Sequence, residues 1–254
     1  MISIRRAKKL IKIKLIRWFG PKVTYISGVP VPPQDLRSGG PQFTGENFMV
    51  SARNEAQRLV NYFNISPESS ILDVGCGAGR LAIGLIADDI KISSYEGVDV
   101  MEPVIRWCQK YITPEYPAFN FTRINIKNSR YNPSGQIITD QFRLPLDQEF
   151  DLIYLYSVFS HMDIHDIRSY LGEFNRLLAP NGNIFLTAFI ETNVPPMTIN
   201  PPNYRLNWSG MLHCVRYDKS YFELVLKEYG FVVDKFEYGS EVDGQSGVYI
   251  KRSI

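Results

Sequence analysis

The sequence has few of the residues that build disulfide or metal-linked frameworks. Its 254 residues include three cysteines and three histidines. Cys76, Cys108 and Cys214 are too few and too scattered for a disulfide framework or a C-x-x-C metal site, which favours a reducing compartment such as the cytoplasm. The first 34 residues also lack an apolar run long enough for a signal-peptide core or a transmembrane helix. A secreted disulfide-rich domain is therefore not expected.

What the chain does contain is an alternation of apolar strand-like and helix-like segments. A hydrophobic content of 44% over this length fits one domain with a full core. The alternation is typical of a parallel sheet covered on both faces. We predict helices over 46–63 and 218–229, and strands near 70–74, 95–100, 119–124, 150–156, 183–190, 231–238 and 247–252. The segments 125–148 and 191–217 interrupt this rhythm after strand ends, where open parallel sheets bind ligands.

The most informative segment runs from Ile71 to Gly79. A short apolar strand ends in Asp73 and is followed by three glycines at alternate positions, Gly75, Gly77 and Gly79. Glycine lets a ligand approach the backbone, and the start of the next helix offers free amide groups. The spacing is G-x-G-x-G, so Arg80 stands where the dinucleotide fingerprint requires its third glycine. The segment therefore predicts a nucleotide-cofactor loop that differs from a dinucleotide site.

This loop resembles the first motif of class I methyltransferases that use S-adenosylmethionine. The segments from Phe150 to Met162 and from Phe174 to Thr187 are similar to the fourth strand and to the helix, Pro-Asn-Gly turn and fifth strand of that family. The likeness covers roughly residues 45–254. It implies a Rossmann-like methyltransferase fold of the α/β class: a three-layer sandwich around a doubly wound, mostly parallel seven-stranded sheet with an antiparallel C-terminal strand.

The resemblance also implies which residues hold the cofactor. Asp99 ends the second strand, and its two carboxylate oxygens match two neighbouring ribose hydroxyls, although an acid there also suits the cap of the following helix. Asn125 stands where the family usually has an acid near the adenine. The implied cofactor-binding residues are Asp73, Gly75, Cys76, Gly77, Gly79, Asp99, Val100, Asn125 and Ser157.

His161 is the predicted catalytic residue, because it follows the fourth strand where the acceptor meets the methyl group in this topology. An imidazole near neutral pKa can take the proton of an acceptor hydroxyl. The alternative is a histidine that caps or packs against the helix beginning near Asp163. We expect no metal site, because His161 and His165 have no further ligand cluster beside them and methyl transfer needs no metal.

The segments 125–148 and 191–217 are expected to form the acceptor pocket. The second is rich in proline and aromatic residues, including Tyr204 and Trp208. Such a stiff aromatic loop can cover a sugar or a hydrophobic acceptor. Alternatively, it is a surface loop that packs on the sheet edge. The expected acceptor is a small molecule, glycan or lipid-linked glycan, with a hydroxyl as the methylated group.

Residues 1–34 form a basic arm. They carry eight Lys or Arg residues and no acid, which leaves 20 basic against 26 acidic residues in the rest of the chain. Ile4, Ala7, Ile11, Leu15 and Trp18 share one stripe of a helical wheel, so we predict an amphipathic helix. Residues 1–22 suit peripheral contact with an anionic membrane, or a helix folded back on the domain over 35–254. Nucleic acid is not an expected partner, because the body is acidic.

Two other functions share these motifs. A nicotinamide-dependent oxidoreductase would use the same sheet and the same ribose carboxylate, but it would need the third glycine that Arg80 replaces. A non-catalytic adaptor would bind S-adenosylmethionine without transferring its methyl group. The sequence favours the methyltransferase, and it leaves the acceptor and the oligomeric state open.

Overall fold

The structure is a computed structural model that describes residues 23–37, 44–139 and 142–253. Its strands are, in chain order, β1 (Thr24–Ile26), β2 (Val29–Val31), β3 (Ser70–Val74), β4 (Ser94–Asp99), β5 (Phe119–Arg123), β6 (Phe150–Leu155), β7 (Leu178–Glu191), β8 (Met197–Ile199), β9 (Val215–Asp218), β10 (Phe231–Glu237) and β11 (Ser246–Arg252). Its helices are α1 (Gly45–Phe63), α2 (Arg80–Ala87), α3 (Glu102–Tyr111), α4 (Ile164–Leu177) and α5 (Lys219–Glu228).

Seven of the strands form the central sheet in the order β10-β11-β7-β6-β3-β4-β5. The pairs from β7 through β5 are all parallel, whereas β11 runs antiparallel to both β7 and β10. The predicted mostly parallel seven-stranded sheet with an antiparallel C-terminal strand is therefore confirmed. The chain reverses its strand order beside β3, which opens a crevice at the carboxyl ends of β3, β4 and β6.

Two apolar clusters cover the two faces of the sheet. Helices α1, α2 and α3 pack on one face and α4 and α5 on the other. Neighbouring strand residues point to opposite clusters, as Ile71 and Leu72 do in β3 and Leu152 and Ile153 do in β6. This alternation follows from the period-two geometry of a strand. The result is a three-layer sandwich whose sheet is apolar on both faces.

Helix α1 illustrates how the local sequence produces the element that later borders the site. The Thr44 hydroxyl accepts a bond from the Asn47 N–H at 3.1 Å, which caps the first turn, and Asn64 ends the helix in a left-handed conformation. Phe48, Ala52, Ala56 and Leu59 recur every three or four residues and are buried. Helix α1 therefore buries one apolar stripe, while Ser51, Asn54 and Arg58 border the crevice.

Strand β7 begins earlier than the sequence predicts. Pro180-Asn181-Gly182 was expected as a turn before a strand starting near residue 183. Instead β7 starts at Leu178, and its register against β6 shifts so that Phe150 pairs with Leu178 and Leu152 with Asn183. The three residues expected as a turn therefore lie within β7, where they form an irregularity in its pairing with β6. A Cβ at Gly182 would lie 2.9 Å from the Phe150 carbonyl oxygen, which explains why glycine stands there.

The described end of the segment 1–34 belongs to the domain. Strands β1 and β2 form an antiparallel hairpin, and Val29 and Val31 are buried in the cluster that contains α1, α2 and α3. Burying each valine contributes on the order of 1.5 kcal/mol. The sequence analysis assigns these residues to the arm 1–34, whereas in the structure they pack on the domain. The amphipathic stripe from Ile4 to Trp18, on which the helix expected in the arm 1–34 depends, lies outside the described residues.

The segment 191–217 adds two short strands beside the sheet. Strand β9 pairs in parallel with the end of β7, and β8 pairs antiparallel with β9. Within the described ranges, no helix is long and apolar enough to cross a membrane.

Candidate active site

A cavity of about 810 Å³ opens at the carboxyl ends of β3, β4 and β6. Small-molecule sites span about 300–1,000 Å³, so this volume accommodates a large ligand or two smaller ones. One wall is the glycine loop with the residues after β4. The opposite wall comes from α1 and the turn between β10 and β11.

The three loop glycines have left-handed backbones but different roles. A Cβ at Gly75 would lie 2.5 Å from Val158 Cγ2, so Gly75 permits a close approach of protein to protein. A Cβ at Gly77 would meet nothing within 4 Å, so this residue borders open space in the cavity. Gly79 is buried under Ile112, is absent from the cavity lining and begins α2. The loop therefore presents Gly75 and Gly77 to the cavity, whereas Gly79 serves helix packing.

Asp99 fastens the glycine loop to the end of β4. Its Oδ2 accepts a bond from the Gly77 N–H at 2.8 Å, and its Oδ1 accepts one from the Met101 N–H at 2.8 Å. Burial raises the pKa of the carboxyl group, and the backbone bonds to Met101 and Gly77 offset part of that rise. A third backbone group, the Val100 N–H, also interacts with the carboxylate, so its roughly four lone-pair sites leave capacity to accept from a ligand. Asp99 and its neighbour Val100 both line the cavity.

Asp73 lies deeper in the same wall. Burial raises the pKa of its carboxyl group to about 7, although a hydrogen bond from the Tyr95 hydroxyl and the positive charge of Arg80 act in the opposite direction. Nearby Asp99 and Glu55 raise it further. A cationic group placed beside Asp73 would favour the ionised carboxylate.

Ser157 follows β6 with a left-handed backbone, φ 58°. Its N–H donates to Thr187 Oγ1 at 2.8 Å, and its hydroxyl accepts a bond from Gln245 Nε2 at 2.8 Å. Gln245 also accepts a bond from the Thr187 hydroxyl at 3.0 Å. Strain at a non-glycine residue persists only where its surroundings hold it, and here Thr187 of β7 and Gln245, the residue before β11, do so. Ser157 lines the cavity.

Cys76 and Asn125 occupy very different positions. Cys76 lines the cavity, and burial raises the pKa of its thiol well above its ordinary value, which suits a packing residue better than a nucleophile. Asn125 is exposed, and its Oδ1 accepts a bond from Asn132 Nδ2 at 3.3 Å. Ile124 and Ile126 on either side line the cavity instead. The structure thus does not bring Asn125 together with the other predicted residues, because neighbouring side chains of an extended chain alternate in direction.

His161 lines the cavity, in the short 3-10 helix Phe159–His161 after β6. Its Nδ1 lies 3.1 Å from the Leu212 carbonyl oxygen. Because a carbonyl only accepts, this contact assigns the hydrogen to Nδ1 and leaves Nε2 as the nitrogen that can take a proton. Burial lowers the pKa of His161 to about 4, so the ring is neutral at pH 7. The cap of α4 is Asp163, whose carboxylate accepts the His165 and Asp166 N–H groups.

The two segments expected to form the acceptor pocket differ in outcome. From the first, Ile126, Asn128, Tyr131 and Ile138 line the cavity. The second, 191–217, is described throughout and contributes none of the lining residues. Its Tyr204 and Trp208 rings pack against Phe189 at 5.8 and 5.4 Å between centroids. Its expected place in the pocket is therefore corrected: it packs at the carboxyl end of β7 and contacts lining residues from outside the cavity, through the Leu212 carbonyl at His161 and through the Tyr217 hydroxyl, which donates to the Met162 carbonyl.

A model of the methyltransferase domain family matches residues 50–235. The chain belongs to this family. The match spans the glycine loop, most of the residues that line the cavity and most of the sheet, and it ends before the β10–β11 turn. It confirms the predicted class I methyltransferase, whose methyl donor is S-adenosylmethionine, in place of the oxidoreductase alternative.

Solved methyltransferase structures share the fold. The chain is 15% identical to magnesium protoporphyrin IX methyltransferase from Synechocystis PCC 6803 with bound SAH, covering 85% of this chain and 90% of that one at a TM-score of 0.55. It is 13% identical to the glycopeptide N-methyltransferase MtfA complexed with sinefungin, covering 85% and 100% at a TM-score of 0.56. It is 13% identical to the mitomycin 7-O-methyltransferase MmcR, covering 80% of this chain but only 54% of that one, at a TM-score of 0.54.

The wall opposite the glycine loop holds residues that sequence reasoning missed. The methyltransferase cavity is lined there by Glu55, Arg58, Tyr154, Tyr156 and Glu241. Arg58 donates to both Glu241 oxygens, at 2.8 and 3.2 Å, and lies 3.5 Å from Glu55. The hydroxyls of Tyr154 and Tyr156 donate to Glu55 and Glu241, each at 2.8 Å.

A weak signal for this wall exists in α1. Ser51, Asn54, Glu55 and Arg58 stand at positions i, i+3, i+4 and i+7 of a helix whose other face is apolar, so they mark a polar stripe. Nothing in the stripe distinguishes a ligand wall from a solvated face. Among the described residues, no group of three or more His, Cys, Asp or Glu could hold a metal ion.

Proposed function

We propose that this methyltransferase transfers the methyl group of S-adenosylmethionine to a hydroxyl of a small-molecule, glycan or lipid-linked glycan acceptor by in-line displacement. The observation that carries the proposal is His161, which lines the cavity with its Nδ1 bonded to the Leu212 carbonyl, so that Nε2 is the nitrogen free to accept a proton. A pKa of about 4 makes this ring a weaker base than an imidazole near neutral pKa, so the proposal rests on its place in the cavity.

The donor binds along the glycine-loop wall in this proposal. The open space at Gly77 receives the donor. Asp99 accepts hydrogen bonds from its ribose hydroxyls, and Asp73 faces its amino-acid end. Gly75, Cys76, Val100 and Ser157 border the same space. Gly79 contributes through the position of α2, and Asn125 has no role at the adenine. When bound, the cofactor supplies an activated methyl group on a positively charged sulfur.

His161 acts at the moment of transfer. Its Nε2 would take the proton of the acceptor hydroxyl as that oxygen receives the methyl group from the bound cofactor. The protein contributes alignment and the exclusion of water, because displacement at carbon needs little other assistance.

The charges of the cavity favour an uncharged acceptor group. Its three lining arginines already have protein partners: Arg37 donates to the Pro32 carbonyl, Arg58 pairs with Glu241, and Arg80 donates to Ser51 and stacks on the Tyr156 ring. The same lining holds five acids, Glu55, Asp73, Asp99, Glu241 and Asp243, so an anionic acceptor would meet like charge. The hydroxyls of a sugar or phenol need only neutral partners, which the Asn47 and Asn54 amides offer in the lining.

The test is a methyl-transfer assay with a panel of uncharged glycosides and phenols and their phosphorylated or carboxylated counterparts. The proposal expects turnover with uncharged hydroxyl acceptors. It also expects His161→Ala to lower that turnover about a hundredfold or more while the affinity for S-adenosylhomocysteine is unchanged. Equal turnover by His161→Ala would remove the base from the mechanism, and methylation of amines or of anionic acceptors alone would contradict the acceptor class.

Two finer predictions concern residues 1–22 and the compartment. Contact of this basic segment with anionic membranes predicts that its deletion reduces co-sedimentation with phosphatidylserine-containing vesicles, and equal binding by both forms contradicts the idea. The three cysteines are free and buried, which suits a reducing compartment such as the cytoplasm.

A further inference from the structure

The turn between β10 and β11 forms part of the cavity wall. Ser240, Glu241, Val242 and Asp243 all line the cavity. Glu241 is buried and accepts bonds from Arg58 on α1 and from the Tyr156 hydroxyl at the end of β6. The turn therefore bridges two other elements across one end of the cavity. Its position decides whether that wall is closed.

Glu191 connects this turn to the segment 191–217. It lies at the end of β7, and its Oε2 accepts a bond from the Tyr238 hydroxyl at 2.7 Å. Its Oε1 accepts bonds from the Tyr204 hydroxyl at 2.8 Å and from Arg205 Nη2 at 3.1 Å. Burial opposes ionisation, but these three donors outweigh it and hold the pKa of Glu191 below its ordinary value. One carboxylate thus joins donors from two separate parts of the chain.

Arg205 makes the second connection, directly against the turn. A Cβ at Gly244 would lie 2.0 Å from Arg205 Nη1, so the guanidinium occupies the space that any other side chain at Gly244 would need. The guanidinium also lies over the rings of Tyr204 and Tyr238, at 5.3 and 5.9 Å. The segment 191–217, which does not line the cavity, is therefore packed against the turn that does.

We propose that Glu191 is a positioning residue of the methyltransferase. Through Tyr238 and Arg205 it holds the β10–β11 turn so that Glu241 closes the cavity against Arg58 and Tyr156. This assigns a role to the segment 191–217, which acts on the site through the β10–β11 turn. The effect on ligand affinity rests on the proposed function, because it requires the donor to bind in this cavity.

The experiment combines hydrogen exchange with calorimetry on the full chain. In Glu191→Ala, the amides of residues 238–246 are expected to exchange about tenfold faster, because a carboxylate with three donors is lost. Binding of S-adenosylhomocysteine is expected to weaken several-fold, with faster dissociation. Glu191→Gln is expected to lie between, since its amide oxygen still accepts from a tyrosine but carries no charge for Arg205.

Glu228→Ala is the matched control. It removes the carboxylate that pairs with Arg168 at 2.6 Å on the far side of the domain, and neither measurement is expected to change. Tyr238→Phe removes a single hydroxyl and is expected to act in the same direction with a smaller effect, so the test does not depend on the folding of Glu191→Ala.

Two results would overturn the proposal. Unchanged exchange over 238–246 in both Glu191→Ala and Tyr238→Phe would show that the turn is held by other contacts. Faster exchange with unchanged affinity would show that the turn does not act on the donor site. If the wild-type protein binds no S-adenosylhomocysteine, the proposed function fails, while the exchange result still decides whether Glu191 positions the turn.

Discussion

The two walls of the cavity are built in opposite ways. The glycine-loop wall comes from residues 73–79 and 99–101, two short stretches at the ends of neighbouring strands. The α1 wall depends on Arg58 and Glu241, which are 183 residues apart in sequence. The first wall is held by its glycine turns and by the Asp99 carboxylate, which accepts nearby backbone N–H groups. The second is held by ion pairs and tyrosine hydroxyls. A local wall leaves a sequence motif, whereas a wall assembled from distant segments does not.

The largest expected effect breaks the α1 wall. Arg58→Ala leaves the buried carboxylates of Glu55 and Glu241 without the cation between them. We expect a loss of about 3 kcal/mol in the free energy of unfolding, since removing one partner of a buried ion pair leaves an uncompensated charge. Chemical denaturation measures it.

Arg168→Ala is the control for that variant, because Arg168 pairs with Glu228 on the surface. We expect a change within about 0.5 kcal/mol. Equal losses in the two variants would contradict a distinction between the buried network and a surface pair.

The next effect separates two glycines of the opposite wall. Gly75→Ala places a methyl group 2.5 Å from Val158 Cγ2 on a left-handed backbone, so we expect about 2 kcal/mol of destabilisation. Gly77→Ala has backbone strain but no protein clash, so about 1 kcal/mol is expected.

Gly77→Ala, the less destabilised of the two variants, is expected to affect binding of the donor. The new methyl group of Gly77→Ala enters the space assigned to the donor, so its affinity for S-adenosylhomocysteine is expected to fall more than its stability does. Thermal denaturation and calorimetry on the same samples measure both. Normal affinity in Gly77→Ala would place the donor elsewhere.

The sequence predicts the local glycine-loop wall better than the α1 wall. Asp73, Gly75, Gly77 and Asp99 lie where the motif predicts because strand ends and glycine turns are local. Asn125 does not, because a shift of one residue in an extended chain reverses the direction of a side chain.

The segment 191–217 shows a second limit. Strand topology correctly places its start at the carboxyl end of β7, but it does not say which neighbours its aromatic rings will meet. In the structure Tyr204 and Trp208 find Phe189 instead of the cavity. That outcome depends on packing contacts between distant residues, which periodicity does not encode.

A smaller prediction concerns the pH dependence of stability, and it compares Asp73 in the glycine-loop wall with His161 after β6. Because burial raises the pKa of Asp73 to about 7, its contribution to stability is present below pH 4 and is lost as the pH rises toward 7. His161, whose pKa is lowered to about 4, acts in the opposite direction, losing stability as the pH falls below about 6.5. The two largely cancel in the wild type.

Single variants should reveal each contribution. Relative to the wild type, Asp73→Asn is expected to become more stable as the pH rises from 4 to 7, and a His161 variant less stable. Denaturation midpoints at four pH values measure this. Parallel curves for all three proteins would contradict the assigned environments.

The central claim is that the glycine-loop wall binds the methyl donor, and calorimetric titration with S-adenosylhomocysteine tests it most directly. The account predicts one site on the wild-type protein, about tenfold weaker binding to Asp99→Asn, which loses the carboxylate charge offered to the ribose hydroxyls, and unchanged binding to the exposed control Asp89→Asn. Absence of binding to folded wild-type protein, or equal affinity in Asp99→Asn, would contradict it.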